Sequence, residues 1–252
     1  MFGIPTVDFI KILSIFTRRI GLLFLFVVAL YFDGTGFAAI YPNAQTVTNT
    51  FMLIAFFLLY YRSVKRTRKL MIYAVIIGFA GEYLFSILLE MYTYRLSNLP
   101  FYIPFGHAAV YARTYTFSKA SIVKKYSKEI TRLMAVIIFL FALLYLIAFN
   151  DVFGFVMTIA VFLLLIKRPQ DRLFFLTMYI VVAVLEIGGT AYSAWSWPDS
   201  AFGIFPILKS HNPPSGISLF YFLLDVGCFV LYTQINSKTW KRLKKFRKIQ
   251  QG

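Results

Sequence analysis

Apolar residues run almost unbroken through eight stretches of the chain, and each stretch ends in a polar, basic or proline-bearing cluster. The stretches cover roughly residues 20–40, 44–61, 70–91, 101–118, 133–149, 152–166, 173–195 and 216–235. They are continuously apolar and do not alternate with period two, so they predict helices rather than the short alternating strands of a membrane barrel. Several approach the ~20 residues that cross ~30 Å of hydrocarbon. The expected fold is all-α: a polytopic integral membrane bundle of about eight transmembrane helices. Residues 1–19 are mixed, with Phe9, Ile10, Leu13 and Phe16 near one helical face beside Lys11, Arg18 and Arg19. They predict an interfacial amphipathic helix or an early extension of the first span.

Composition strengthens that picture. The chain is 60% hydrophobic and only 14% charged, against about 25% charged residues in soluble domains. The net charge of +16 raises the question of nucleic acid, but its placement answers it. With the even-numbered loops and both ends of the chain taken as one side, all of the 26 Lys and Arg except Arg95 and Lys209 fall there. That is the distribution of a membrane protein with its basic loops in the cytoplasm. The expectation is a cell-membrane protein of bacterial inner-membrane type, both termini cytoplasmic, with the bilayer and not nucleic acid as its partner. The tail, residues 236–252, carries Lys238, Lys241, Arg242, Lys244, Lys245, Arg247 and Lys248, and is expected to rest on anionic lipid. No small-residue cleavage site follows the first apolar run, which is therefore expected to be retained. Cys228 stands alone and forms no intrachain disulfide.

A basic linker, residues 119–132, separates two candidate four-helix halves, residues 20–118 and 133–235. Their third spans look related. Glu82 is followed by Tyr92-Thr93-Tyr94, and Glu186 by Trp195-Ser196-Trp197. Small residues flank both carboxylates, and a proline-containing loop follows both aromatic pairs. Because each half starts on the same side, the repeat is expected to be parallel, related by an axis along the membrane normal.

Ionisable residues within apolar spans are costly and mark sites. Glu82 and Glu186 lie about half-way along their spans, Asp225 near the middle of the last, and His107 near the start of the fourth. His107, Tyr111, Thr114 and Ser118 recur at three and four residues and form one polar helical face, as do Ser218, Tyr221 and Asp225. Candidate catalytic residues are therefore Glu82, Glu186, His107 and Asp225. Tyr92, Tyr94, Tyr111, Trp195, Trp197 and Asn212 are candidates for the wall of a substrate site. The two aromatic pairs equally suit an interfacial belt, the glutamates a structural clamp between helices, Arg113 a snorkelling position, and Asp33 a break in the first span. No phosphate-binding, zinc-protease or nucleophile-elbow motif is present, and no metal or cofactor is expected.

The run Glu82, Tyr92-x-Tyr94, Pro100, Ile103-Pro104 resembles the carotenoid-hydratase-type membrane family of bacteria and archaea, whose members add water to the isoprenoid ends of long carotenoids. As a whole the chain is similar to bacterial multi-pass membrane proteins with paired Glu and Trp-x-Trp segments. The resemblance implies acid/base chemistry on a lipid or isoprenoid ligand in a cavity toward the outer leaflet. A proton- or solute-conducting transporter and a non-catalytic assembly protein are the alternatives that the buried polar residues leave open.

Overall fold

The computed structural model describes residues 3–237 and is mostly helical. In chain order the helices are α1 (Thr6–Arg19), α2 (Phe24–Asp33), α3 (Thr35–Ala38), α4 (Ala44–Arg62), α5 (Lys65–Glu82), α6 (Tyr102–Ser118), α7 (Ser121–Lys125), α8 (Ser127–Phe149), α9 (Val152–Ile166), α10 (Arg172–Ala191) and α11 (Ser218–Ile235). A 3-10 turn, Gly21–Leu23, joins α1 to α2, and a π-helical segment, Tyr83–Leu88, extends α5. The basic tail from Lys238 onward lies outside the described residues.

Among the described residues six helices are long and apolar enough to cross a membrane: Thr6–Asp33, Ala44–Arg62, Lys65–Leu88, Ser127–Phe149, Arg172–Ala191 and Ser218–Ile235. The remaining two expected spans are shorter. At 15 residues, α9 reaches ~22 Å, and α6, at 17 residues, carries the polar face of His107, Tyr111, Thr114 and Ser118. The first rod also differs from expectation: it begins at Thr6 and stops at Asp33, short of residue 40. It stops there because the Asp33 side chain is drawn into a buried ion pair with Arg95 (2.6 Å) and a hydrogen bond from Tyr102 Oη (2.9 Å). Gly34 then turns extended, and its missing Cβ lets the chain pass the Tyr192 carbonyl, which accepts a bond from Thr35 N at 3.0 Å.

Arg113 reaches the end of α1. It donates through Nε to Arg19 O (2.7 Å) and through Nη2 to Arg18 O, satisfying the free carbonyls at the end of α1, while Arg19 donates back to Thr116 O. Helix ends leave such carbonyls orphaned, and a guanidinium suits them. The proline-bearing segment after Trp197 is not a plain loop. Strands Ser200–Ala201 and Phe205–Lys209 pair antiparallel within it.

Packing largely follows the two halves. α2 packs on α4 as α8 does on α9; α4 packs on α6 as α9 does on α11; and α5 lies against α11 as α10 lies against α6. The first helices break the symmetry, because α2 and α8 both pack along α10 and neither packs along α5. Accordingly α10 is the most enclosed of the long helices.

Candidate functional site

The two glutamates occupy corresponding places. Glu82 Oε2 accepts hydrogen bonds from Tyr92 Oη and Tyr94 Oη, both at 2.5 Å, from residues 10 and 12 positions further on. Glu186 Oε2 accepts from Trp195 Nε1 (2.8 Å) and Trp197 Nε1 (3.2 Å), 9 and 11 positions further on. The interval is one residue longer in the first half, and the extra residue lies in the helix. Leu88 precedes Tyr92 by the same distance in sequence as Ala191 precedes Trp195, while the π-helical turn Tyr83–Leu88 has a regular α-helical counterpart at the end of α10. A π segment is an α-helix with a single residue inserted.

Beyond the helices the backbones correspond again. Glu90 (φ 47°) and Ser193 (φ 57°), each two residues before the first aromatic, adopt the left-handed conformation that closes a helix C-terminus. Met91 N then reaches back to Phe85 O, and Ala194 N to Gly189 O, both at 2.9 Å. The chains finally meet as an antiparallel ribbon, β1 (Thr93–Tyr94) with β2 (Trp195–Ser196), in which Thr93 opposes Ser196 and Tyr94 opposes Trp195. Strand side chains alternate between faces. Tyr92, Tyr94, Trp195 and Trp197 are thus all buried, while Thr93 and Ser196 are exposed. The expected aromatic belt is therefore a lid, its rings turned inward onto two carboxylates. The rings also touch across the seam: Tyr92 with Trp197 (centroids 4.4 Å apart) and Tyr94 with Trp195 (6.1 Å).

Beneath the lid is a cavity of about 20 Å³ lined by Glu82, Glu186, Tyr221 and the four aromatics, and walled by Phe85, Ile103, Ile217, Phe220 and Leu224. That volume holds one water molecule. Its lining comes from α5, α6, α10, α11 and the segments that follow or precede them. Gly189 makes room for the Trp195 ring, from which a Cβ would lie 2.0 Å away.

Donor chemistry distinguishes the two carboxylates. An indole N–H only donates, whereas a phenol donates or accepts. Glu186 Oε2, between two indoles, is confined to accepting; its Oε1 meets Tyr221 Oη at 3.1 Å. Glu82, between two phenols, is free of that restriction. Burial pushes the Tyr92 and Tyr94 phenols well above the ordinary tyrosine range, so both keep their protons.

His107 and Asp225 do not reach this cavity. They form a separate buried pair deeper in the bundle, His107 Nε2 to Asp225 Oδ1 at 3.4 Å, and neither side chain has a well-formed hydrogen bond. Tyr221 links the two places, its hydroxyl on Glu186 and its ring 5.4 Å from the His107 ring. Tyr111 is also remote from the cavity, stacked on Tyr115 (6.3 Å) and edge-on to Phe174 (5.4 Å). Asn212 supports the site from behind: its Oδ1 accepts from Trp197 N at 3.0 Å.

Two organising carboxylates were less visible in the sequence. Asp33, read there as a break, ties α2 to Arg95 and Tyr102 on either side of the loop that precedes α6. Asp151, read as a turn residue, is fully buried at the N-terminus of α9 and accepts from Gly154 N (3.1 Å), His211 N (3.1 Å) and Ser215 N (2.7 Å). Each half thus uses an aspartate between its first and second helices to hold the loop between its third and fourth. The signal for Asp151 was its place directly before the apolar run of α9, where an acidic N-cap belongs.

The chain matches no protein-family model, and no curated protein and no solved structure is similar to it.

Proposed function

We propose that the chain is a multi-pass membrane protein, two four-helix halves with both ends on the cytoplasmic side, and that Glu82 and Glu186 act as an acid/base pair on the unsaturated end of an isoprenoid or related lipid. The observation that carries this reading is the convergence of two aromatic-clamped carboxylates on one water-sized cavity with apolar walls. In a hydration, Glu82 in its acid form gives its proton to an alkene carbon. The resulting carbocation is held against the faces of the lid aromatics, which attract cations. The cavity water adds its oxygen to the cation and gives a proton to Glu186, and that proton returns to Glu82 through the next water. One alkene and one water become one alcohol, and the pair is reset. Glu82, between phenols, suits the donating role; Glu186, between indoles, suits the accepting one. The cavity as it stands admits water alone, so an isoprenoid end enters when the ribbon lifts.

The test is turnover of carotenoid and polyprenyl substrates by purified protein, with hydrated product read by mass spectrometry. Glu82→Gln and Glu186→Gln are expected to abolish turnover while indole emission from the lid stays unchanged. Unaltered turnover in both variants would falsify the acid/base assignment.

A second reading, proton conduction, is favoured by one observation. Glu186, Tyr221, His107 and Asp225 form a file of polar groups leading from the lid into the bundle. Proton flux into liposomes that falls in His107→Phe supports conduction, and vesicles that stay sealed exclude it.

A further inference from the structure

A second, larger cavity lies at the opposite, basic end, between α8, α9 and α10. It has a volume of about 500 Å³ and is lined by Lys128, Thr131, Arg132, Ala135, Phe162, Leu165, Ile166, Arg172 and Leu176. That is within the ~300–1,000 Å³ range of ligand pockets. Its chemistry is divided. Three cations and one hydroxyl stand at the helix starts, and five apolar side chains form a trough running into the bundle. Lys128 and Arg132 are one helical turn apart on α8, so they share a face. Both are exposed, and neither has an ion pair or side-chain hydrogen bond among the described residues. Arg172 has only its Nε engaged, on Leu165 O at 3.0 Å, which turns the guanidinium toward the trough. No carboxylate lines the cavity, although Glu129 and Asp171 are close in sequence. Both α8 and α10 present their N-termini here, and helix N-termini add partial positive charge.

Building on the bilayer placement proposed above, we infer that this groove is a binding site for one anionic phospholipid of the cytoplasmic leaflet, its phosphate held by Lys128, Arg132 and Arg172 and an acyl chain lying in the apolar trough. Charge selects the occupant. The chain's own tail is strongly basic and is repelled by a cationic rim. A soluble anion would leave the apolar walls uncovered, whereas a lipid satisfies both parts at once. Basic pockets between helices on the cytoplasmic side bind acidic head groups in this way.

The test uses the full chain, extracted from membranes in a neutral detergent and delipidated. Dioleoyl phosphatidylglycerol, dioleoyl phosphatidylcholine and inorganic phosphate are then added, and bound lipid is counted by native mass spectrometry. The expected result is one phosphatidylglycerol per chain, with affinity at least tenfold weaker in Lys128→Gln/Arg132→Gln and unchanged in Lys244→Gln/Lys245→Gln. Lys128 and Arg132 are exposed and without side-chain partners among the described residues, so folding is retained, and unaltered lid emission verifies it. Equal retention by Lys128→Gln/Arg132→Gln, equal binding of phosphatidylcholine, or displacement by millimolar inorganic phosphate would each overturn the site. A chain recovered in the soluble fraction would instead refute the membrane reading, and Glu82→Gln, which bears only on the acid/base proposal, should bind phosphatidylglycerol normally.

Discussion

Thr93 lies directly opposite Ser196 in the ribbon that closes one end of the bundle, and the two residues hold the same position in their respective halves. Equivalent residues facing one another is the signature of a two-fold relation, as at an isologous interface. A local two-fold axis through this pair also interchanges the two ring contacts, Tyr92 with Trp197 and Trp195 with Tyr94. Directly opposed residues have Cα atoms about 4.5–5.5 Å apart, within the range a disulfide spans. Thr93→Cys/Ser196→Cys is expected to oxidise to an intramolecular crosslink, seen as a mobility shift reversed by reductant. Under the acid/base reading the crosslink suppresses turnover at least tenfold and reduction restores it. A double variant that stays uncrosslinked under mild oxidant counts against the ribbon register.

Gly189 is a point of the lid where a methyl group does harm, since its Cβ would lie 2.0–2.5 Å from three atoms of the Trp195 indole. Gly189→Ala is expected to push Trp195 off Glu186 and to cost about 1–3 kcal/mol, as overpacking does. Thermal unfolding reads the loss, and a red shift of indole emission reads the displacement. An unchanged spectrum would show that Trp195 does not rest on Gly189.

The π-helical turn makes a prediction about chain length. Removing Ile87 removes the inserted residue, giving the first half the interval of the second. The deletion is expected to be tolerated, with the protein recovered folded. Removing Ile187, in the regular turn that follows Glu186 in α10, rotates everything beyond it by about 100°, and is expected to prevent folding. Equal damage from both deletions, measured as yield of monodisperse protein, would refute the equivalence.

Asp33 is fully buried and Arg95 nearly so. Removing one member of such a pair leaves the other uncompensated, at about 3–5 kcal/mol. Asp33→Ala should therefore destabilise severely, and Asp33→Ala/Arg95→Met should recover part of the loss. Denaturant unfolding in detergent of the two single variants and the double tests this; strictly additive losses would rule out the coupling.

Much of this was legible in the sequence because apolar runs and charge placement report directly on helices and their ends. The glutamates and their aromatic pairs were visible for the same reason: polar groups at depth stand out against such a background. Their geometry was not. Period and spacing place Tyr92 near the helix end, but only the left-handed Glu90 turns its ring back onto Glu82. The separation of His107 and Asp225 from the glutamates was equally hidden, since one polar helical face spans several turns and its members reach different depths. Asp33 ended the first helix early through a partner, Arg95, 62 residues away in sequence, and no local pattern records that distance.

Because α2 and α8 both lie on α10, the helix that bears Glu82 keeps a flank without a neighbouring first helix. Ile72, Ile76, Tyr83, Leu84 and Leu88 are exposed on α5 and its extension. For a chain in a bilayer, hydrocarbon is the medium against that flank. Under the acid/base reading, a molecule dissolved among the lipid tails would then reach Glu82 from the side once the ribbon lifts, having never entered water. Its concentration at the site would follow from how strongly it partitions into the membrane, and only the water it consumes would arrive from the aqueous side.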